Sequence, residues 1–330
     1  MRYARQEIFK EIGKEGQLRL SKSTAAIVGL GALGSVSAEL LTRAGIGKLI
    51  LIDRDTVELS NLQRQSLFNE NDIGKAKASQ AKEHLSKINS RVKIYFFIDD
   101  LNFENIEKIL SEKNKIGLIL DCTDNMDTRF LINDFCVKNK IPFIYSSAIG
   151  SKGYVFNAIP DENRPCLRCF LREAAQLETC ETAGVLNTIT HIIASLQTTE
   201  ALKILLKKSN SGKKLLFFDV WKNELLKIKA NKNKNCICCA NKIFEYLNGK
   251  KSPRVVKLCG NGIYQVNAKT IDRGQFNHLK SRLKKIGKVI DFGYCINFDD
   301  RLTVFRNGRA LVKAKNENEA KSLYSKFVGN

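Results

Sequence analysis

Ala25-Ala26-Ile27-Val28-Gly29-Leu30-Gly31-Ala32-Leu33-Gly34, followed by the apolar-periodic segment Val36 to Ala44, decides the fold. A short apolar run feeding a glycine-rich turn and then helical periodicity predicts strand, tight turn and helix. Gly29, Gly31 and Gly34 permit a sharp reversal and a close backbone approach, so amides at the positive end of the helix dipole can hold phosphate oxygens. The turn alone does not say which nucleotide is bound. A second apolar strand, Lys48 to Ile52, ends in Asp53, at the separation where a carboxylate accepts ribose hydroxyls, and up to that point NAD and ATP fit equally well. Alternation of strands and helical segments to about residue 150 predicts a doubly wound, Rossmann-like α/β sheet, mostly parallel.

The segment that follows is Asp53-Arg54-Asp55-Thr56-Val57-Glu58-Leu59-Ser60-Asn61-Leu62-Gln63-Arg64-Gln65, and Gly74-Lys75-Ala76-Lys77 comes shortly after it. Arg64 and Lys77 put two cations beyond the ribose carboxylate. A triphosphate attacked at its α-phosphorus needs fixed cations and a metal ion to hold its charge, whereas a dinucleotide needs no such pair. The plainer reading makes both residues surface cations of a lysine-rich chain.

The cysteines give an independent line. Cys166-Leu167-Arg168-Cys169 and Cys236-Ile237-Cys238-Cys239 carry two C-x-x-C pairs, and four thiolates in two such hairpins make a closed tetrahedral Zn2+ site. Zinc is favoured over disulfides because no secretory signal is recognisable and cytosolic thiols stay reduced, so a cytoplasmic location is expected. Four cysteine ligands leave no open position, which points to a structural metal. A one-residue shift lets Cys238 stand in for Cys239, and the spacing leaves both open. The three histidines, His84, His191 and His278, have no recognisable catalytic setting, and Cys122 and Cys136 lie in apolar elements as core residues do.

With Arg2-Tyr3-Ala4-Arg5-Gln6, Asp121-Cys122-Thr123-Asp124-Asn125 and Thr179-Cys180-Glu181-Thr182-Ala183-Gly184, these motifs resemble the ThiF/MoeB/HesA adenylyltransferases, prokaryotic relatives of ubiquitin-activating enzymes. The resemblance covers roughly residues 1 to 245 in the family's order. It implies ATP-dependent adenylation, with Mg2+, of the C-terminal glycine carboxylate of a ubiquitin-fold sulfur carrier ending in Gly-Gly, with release of pyrophosphate. The pathway would be thiamine, molybdopterin or thiolated-tRNA synthesis, and a sulfurtransferase would be a further partner. By position, Asp53 resembles the ribose ligand, Asn61, Arg64 and Lys77 the phosphate contacts, and Asp124 the essential aspartate beside magnesium and the α-phosphate. Arg5 resembles an arginine that enters the other subunit's site in a homodimer. Cys180 resembles a cysteine that forms a covalent adduct with the carrier; its alternative is an unreactive loop cysteine. Ala32 stands where many members have glycine, and a methyl there puts nothing in doubt.

The expected organisation is an N-terminal helical arm at 1–22 serving dimer and active site, an adenylation domain with its zinc site at 23–248, and a small α+β domain at 249–330. Strands Gly153 to Ala158, Lys214 to Val220 and Glu224 to Ala230 are expected to extend the sheet in antiparallel fashion, with a helix from Asn187 to Lys207 as a packing or dimer element. In the tail, strands at Arg254 to Leu258, Lys288 to Asp291, Leu302 to Phe305 and Arg309 to Lys313 are expected, the last two joined at Asn307-Gly308. Helices are expected at Arg273 to Lys284 and Asn316 to Phe327. The tail resembles an extension found on some relatives, to recognise a partner, extend a dimer or add stability. It is not rhodanese-like and lacks a terminal Gly-Gly, so the chain is not expected to be its own carrier.

At 330 residues the chain is long for one core, its 43% hydrophobic content is that of a globular protein, and no run is long and apolar enough to cross a bilayer. The net charge of +21, from 55 basic and 34 acidic residues, would speed encounter with an acidic carrier or with nucleic acid. No arginine-rich stretch with interleaved aromatics marks a nucleic-acid groove, so that partner is not expected. Two further functions fit parts of the pattern. A same-fold enzyme that adenylates a tRNA base for cyclisation or dehydration would suit the charge but not the zinc quartet. An NAD-binding oxidoreductase or redox sensor would suit the turn and Asp53 but not Arg64, Lys77 and Asp124.

Overall fold

The computed structural model describes the chain apart from residues 1, 111–114, 172–182, 209–211, 252–254, 258–261, 267–270, 307 and 330. It divides into two compact units, Met1–Ser252 and Pro253–Asn330. In the first, helices α1 (Ala4–Ile8) and α2 (Gly13–Leu20) precede β1 (Thr24–Val28), α3 (Ala32–Ala44), β2 (Lys48–Ile52), α4 (Lys77–Ile88) and β3 (Lys93–Phe97). There follow α5 (Ile106–Ile109), β4 (Leu118–Asp121), α6 (Met126–Asn139), β5 (Phe143–Ile149), β6 (Lys152–Ala158), α7 (Asn187–Leu205), β7 (Lys214–Asp219) and β8 (Glu224–Lys229).

The strands form one sheet in the order β3-β2-β1-β4-β5-β6-β7-β8. Pairings from β3 to β5 are parallel, and those from β5 to β8 are antiparallel. Every residue of β1 is buried. Its alternate side chains serve two cores, Ala25 and Ile27 on one face and Ala26 and Val28 on the other, as the two-residue period of a strand covered on both sides requires. The antiparallel extension is therefore present as read from the sequence.

Helix α7 buries polar groups that a simple apolar stripe would not hold. Gln197, fully buried, donates to the carbonyls of Asp121 at 3.1 Å and Ile144 at 3.2 Å, and accepts from the Ser37 hydroxyl at 3.0 Å and the Cys122 thiol at 3.3 Å. One side chain thus ties α7 to β4, β5 and α3 through satisfied bonds. The helix stops at Leu205 rather than Lys207 because Lys207 adopts a left-handed backbone with φ of 58°.

The second unit is an antiparallel sheet flanked by helices α8 (Arg273–Lys284) and α9 (Glu317–Phe327). Its strands, β9 (Val255–Lys257), β10 (Ile263–Val266), β11 (Val289–Asp291), β12 (Cys295–Phe298), β13 (Leu302–Phe305) and β14 (Ala310–Lys313), run in the order β11-β12-β13-β14-β10-β9. Tyr264, Val266, Ile296, Phe298, Leu302, Val304, Ala310 and Val312 pack with Phe276, Leu279, Leu283 and Tyr324 into its core. The hairpin between β13 and β14 is as read, although Asn307 itself lies outside the described residues. Strands β10 and β12 are additions to that reading. Each is only four residues long, the shortest run over which alternation can be read.

Candidate active site and metal centre

The strand order reverses between β1 and β4, and a crevice outside the carboxyl ends of these strands is where an open α/β sheet takes its ligand. The glycine turn after β1 and Asp121-Cys122-Thr123-Asp124 after β4 both end there. Gly29 has φ of +87°, and a Cβ on it would sit 2.7 Å from the Cys122 carbonyl oxygen. A Cβ on Gly34 would fall 1.8 Å from the Gly29 carbonyl oxygen, whereas one on Gly31 would meet nothing nearer than Gln65 Nε2 at 3.8 Å. Gly29 and Gly34 thus permit the turn, and Gly31 leaves open space for a ligand. Gly34→Ala is expected to destabilise the protein by about 3 kcal/mol, the upper part of the range for overpacking, because backbone must move. The check is the urea midpoint at unchanged slope.

Asp53 is buried at the end of β2. Its carboxylate accepts the Leu30 amide of the turn at 2.5 Å and the Asp55 amide at 2.7 Å, so it braces the loop and retains lone pairs for a ribose hydroxyl. Burial raises its pKa above the ordinary carboxylate range, with nearby Lys77 opposing. Lys77 opens α4 and is itself buried. Arg64, partly exposed, is steadied by a bond from Nη1 to the Ser60 carbonyl at 3.0 Å, and Asn61 reaches the Ser60 hydroxyl at 3.4 Å. Asp124 is exposed, immediately before Asn125, whose side chain caps α6 by accepting the Thr128 amide at 2.9 Å.

Several residues near this crevice escaped the sequence reading. Asp121, fully buried, accepts the Thr123 amide at 3.0 Å and hydroxyl at 2.7 Å, while Arg129 donates to the Thr123 carbonyl at 2.6 Å and stacks on Tyr145. Together they fix the turn that carries Asp124, and burial raises the Asp121 pKa against the pull of Arg129. Arg54 donates to Asp100 at 2.8 Å, and Asp55 lies between Arg54 and Lys77. The charge alternation Asp53-Arg54-Asp55 was the one signal that could have exposed this last group.

Arg5 sits exposed on α1, away from the glycine turn of its own chain. The arm is fastened to the far end of α3: Gln6 and Gln17 both donate to the Ala44 carbonyl, at 2.9 and 3.0 Å, and Asn89 bonds the Tyr3 hydroxyl at 2.8 Å. Thirteen helical residues at about 1.5 Å each put roughly 20 Å between that anchorage and the turn. His84 pairs with Asp72 at 2.9 Å, and His191 bonds the Asn187 carbonyl at 2.8 Å. Cys180 lies outside the described residues.

The four cysteines of the two C-x-x-C pairs are brought together. The Sγ atoms of Cys166, Cys169, Cys236 and Cys239 all lie within 4.8 Å of one another, with Cys166–Cys236 at 3.6 Å, Cys169–Cys239 at 3.4 Å and Cys166–Cys169 at 4.0 Å. A tetrahedron with Zn–S of about 2.3 Å has sulfur edges of about 3.8 Å, so this donor set fits zinc. The structure also separates the two adjacent thiols: Cys239 joins the cluster, and fully buried Cys238 accepts from Asn133 Nδ2 at 3.2 Å. Asn133 uses its other end to accept the Leu167 amide at 2.9 Å, so one side chain of α6 orients both knuckles.

The glycine turn at the switch point of a mostly parallel sheet, together with a four-cysteine cluster, marks a Rossmann-like α/β protein. The chain belongs to the ThiF family, whose model matches residues 3–239, and it is an adenylyltransferase. The sulfur carrier protein ThiS adenylyltransferase of Bacillus subtilis (strain 168) is 38% identical over 339 residues, 99% of this chain and 99% of that protein. The adenylyltransferase and sulfurtransferase MOCS3 of Xenopus laevis is 39% identical over 249 residues, 73% of this chain and 54% of that protein, so the chain spans about half of that relative. The crystal structure of E. coli MccB with MccA-N7isoASN aligns with a TM-score of 0.64 over 72% of this chain and 75% of that one, at 22% identity, a likeness of fold. Among the described residues no helix is long and apolar enough to cross a membrane.

Proposed function

We propose that the protein uses ATP to adenylate the C-terminal glycine carboxylate of a ubiquitin-fold sulfur carrier of the ThiS kind, for thiamine synthesis. The observation that carries this reading is the meeting, at one switch point, of the glycine turn with Asp53, which Lys77 neighbours, and with the end of β4 that leads into Asp124; Gln65, next to Arg64, lies 3.8 Å from the Cβ position of Gly31. The choice of carrier rests on similarity to the ThiS adenylyltransferase over 99% of the chain, its second unit included, where the MOCS3 match covers 73%. A macromolecular substrate also accounts for edge strand β8, which is exposed along its whole length and presents Leu225, Leu226 and Ile228 beside Trp221.

The carrier carboxylate is a nucleophile at neutral pH and needs no general base, in keeping with His84 and His191 bonded to Asp72 and Asn187. It attacks the α-phosphorus, the bond to the β-phosphate oxygen breaks, and acyl-AMP and pyrophosphate result. Asp53 holds the ribose; the turn amides, Asn61, Arg64 and Lys77 hold the phosphates. The exposed Asp124 carboxylate would hold magnesium, which would neutralise phosphate charge when bound. Arg5, too far along α3 for its own site, would complete the site of a second subunit, which makes the homodimer the working unit. The zinc is structural, and a sulfurtransferase and Cys180 would act after adenylation.

Carrier-dependent ATP–pyrophosphate exchange with magnesium tests the reading against Gly-Gly-ended ubiquitin-fold proteins. Exchange is expected with a ThiS-like carrier and should vanish when its terminal glycine is removed. ATP binding with no exchange for any carrier would contradict the assignment.

A further inference from the structure

Asp55 lies two residues beyond the ribose-side carboxylate, and the backbone joins it firmly to the lysine of the phosphate side. Its carbonyl accepts the Lys77 amide at 2.9 Å, Val57 donates to the Lys75 carbonyl at 2.8 Å, and Gly74 donates to the Val57 carbonyl at 2.9 Å. Bridges pair Thr56 with Ala76 and Val57 with Ile73. The segment 55–57 is thereby zipped to 73–77, although some twenty residues separate them in sequence.

The side chain repeats the connection. Asp55 Oδ1 lies 3.7 Å from Arg54 Nε and Oδ2 lies 3.8 Å from Lys77 Nζ, while Arg54 donates to Asp100 at 2.8 Å. The Lys77 side chain is 8% exposed and that of Asp55 43% exposed. A buried ammonium without a counter-charge is costly, and Asp55, beside Asp53, supplies one. At 3.8 Å the carboxylate faces it without a hydrogen bond, close enough to hold the charge and loose enough to be exchanged.

We propose that Asp55 is a positioning residue that holds the Lys77 ammonium aligned before nucleotide arrives, and that a phosphate of ATP then replaces it as counter-ion. The Arg54–Asp100 pair anchors the carboxylate from the other side. Burial works against the Arg54 charge, and Asp100, Asp55, Asp124 and Asp53, in that order, more than offset it, so the anchor stays cationic. The inference rests on the adenylation reading above, because it assigns the arriving anion to a triphosphate.

The test is a double-mutant cycle on magnesium-ATP affinity, read by calorimetry on the full chain without carrier. Asp55→Asn is expected to weaken binding about fivefold and Lys77→Ala about thirtyfold, with the double variant matching Lys77→Ala within about twofold, since Asp55 acts through the lysine. Asp55→Glu, which keeps the charge, should recover most of the loss. Losses that multiply would overturn the proposal, as would an Asp55→Asn defect that disappears at higher magnesium, because Asp55 would then be a metal ligand. Should Asp55→Asn fail to fold, Arg54→Gln paired with Lys77→Ala gives the same cycle through the same carboxylate. Wild-type protein that binds ATP but exchanges with no carrier would defeat the carrier assignment while leaving this cycle to decide the role of Asp55.

Discussion

Asp124→Ala and Arg64→Ala are each expected to lower carrier-dependent pyrophosphate exchange by about a thousandfold, the scale seen when one preorganised charge contact to a transition state is removed. The reaction asks the protein for alignment and charge rather than proton transfer, so no other group can take over. Asp124 is well placed for such a role: it is exposed, it stands one residue before the α6 cap, and its turn is fixed by Asp121 and Arg129. Removing its carboxylate leaves those bonds intact, so the variant should melt like wild type and keep one zinc per chain. Arg64 is partly exposed and, among the described residues, its guanidinium bonds the Ser60 carbonyl, so its loss should likewise spare the fold. The defect should lie in kcat more than in the KM for ATP, because Asp53 and the turn amides still bind the nucleotide. Exchange within about tenfold of wild type in either variant would mean the residue does not face the phosphates.

What was legible in the sequence follows from what is local. The glycine turn, Asp53 and the C-x-x-C pairs are short-range patterns whose geometry is set by neighbours in the chain. The zipping of 55–57 to 73–77 is a pairing of irregular segments with no periodicity, and the charge alternation Asp53-Arg54-Asp55 does not say that the partner of Asp55 is Lys77. Strand β12 was missed because its four residues are too short a run to stand out, although Asn297, bonded to Thr303 across the hairpin, alternates with the core residues Ile296 and Phe298. Cys238 and Cys239 could not be separated by spacing, since what separates them is Asn133, a hundred residues upstream on α6.

That separation carries the second large prediction. Cys239→Ser is expected to lose bound zinc and about 5 kcal/mol of stability, part of the roughly 10–16 kcal/mol that a structural zinc supplies in small domains. The cluster joins the chain after β6 to the chain after β8, where Arg168 also bonds Glu245 at 2.8 Å and lies over the Tyr246 ring. Cys238→Ser should keep the metal and cost about 1 kcal/mol, because a hydroxyl can still accept from Asn133. Metal content by mass spectrometry and urea unfolding with and without chelator separate the two. Chelation should lower the stability of wild type and Cys238→Ser alike and leave Cys239→Ser unchanged, since binding to the folded state alone supplies the metal-dependent part. Zinc retained in Cys239→Ser and lost in Cys238→Ser would reverse the ligand assignment and require the second knuckle to shift by one residue.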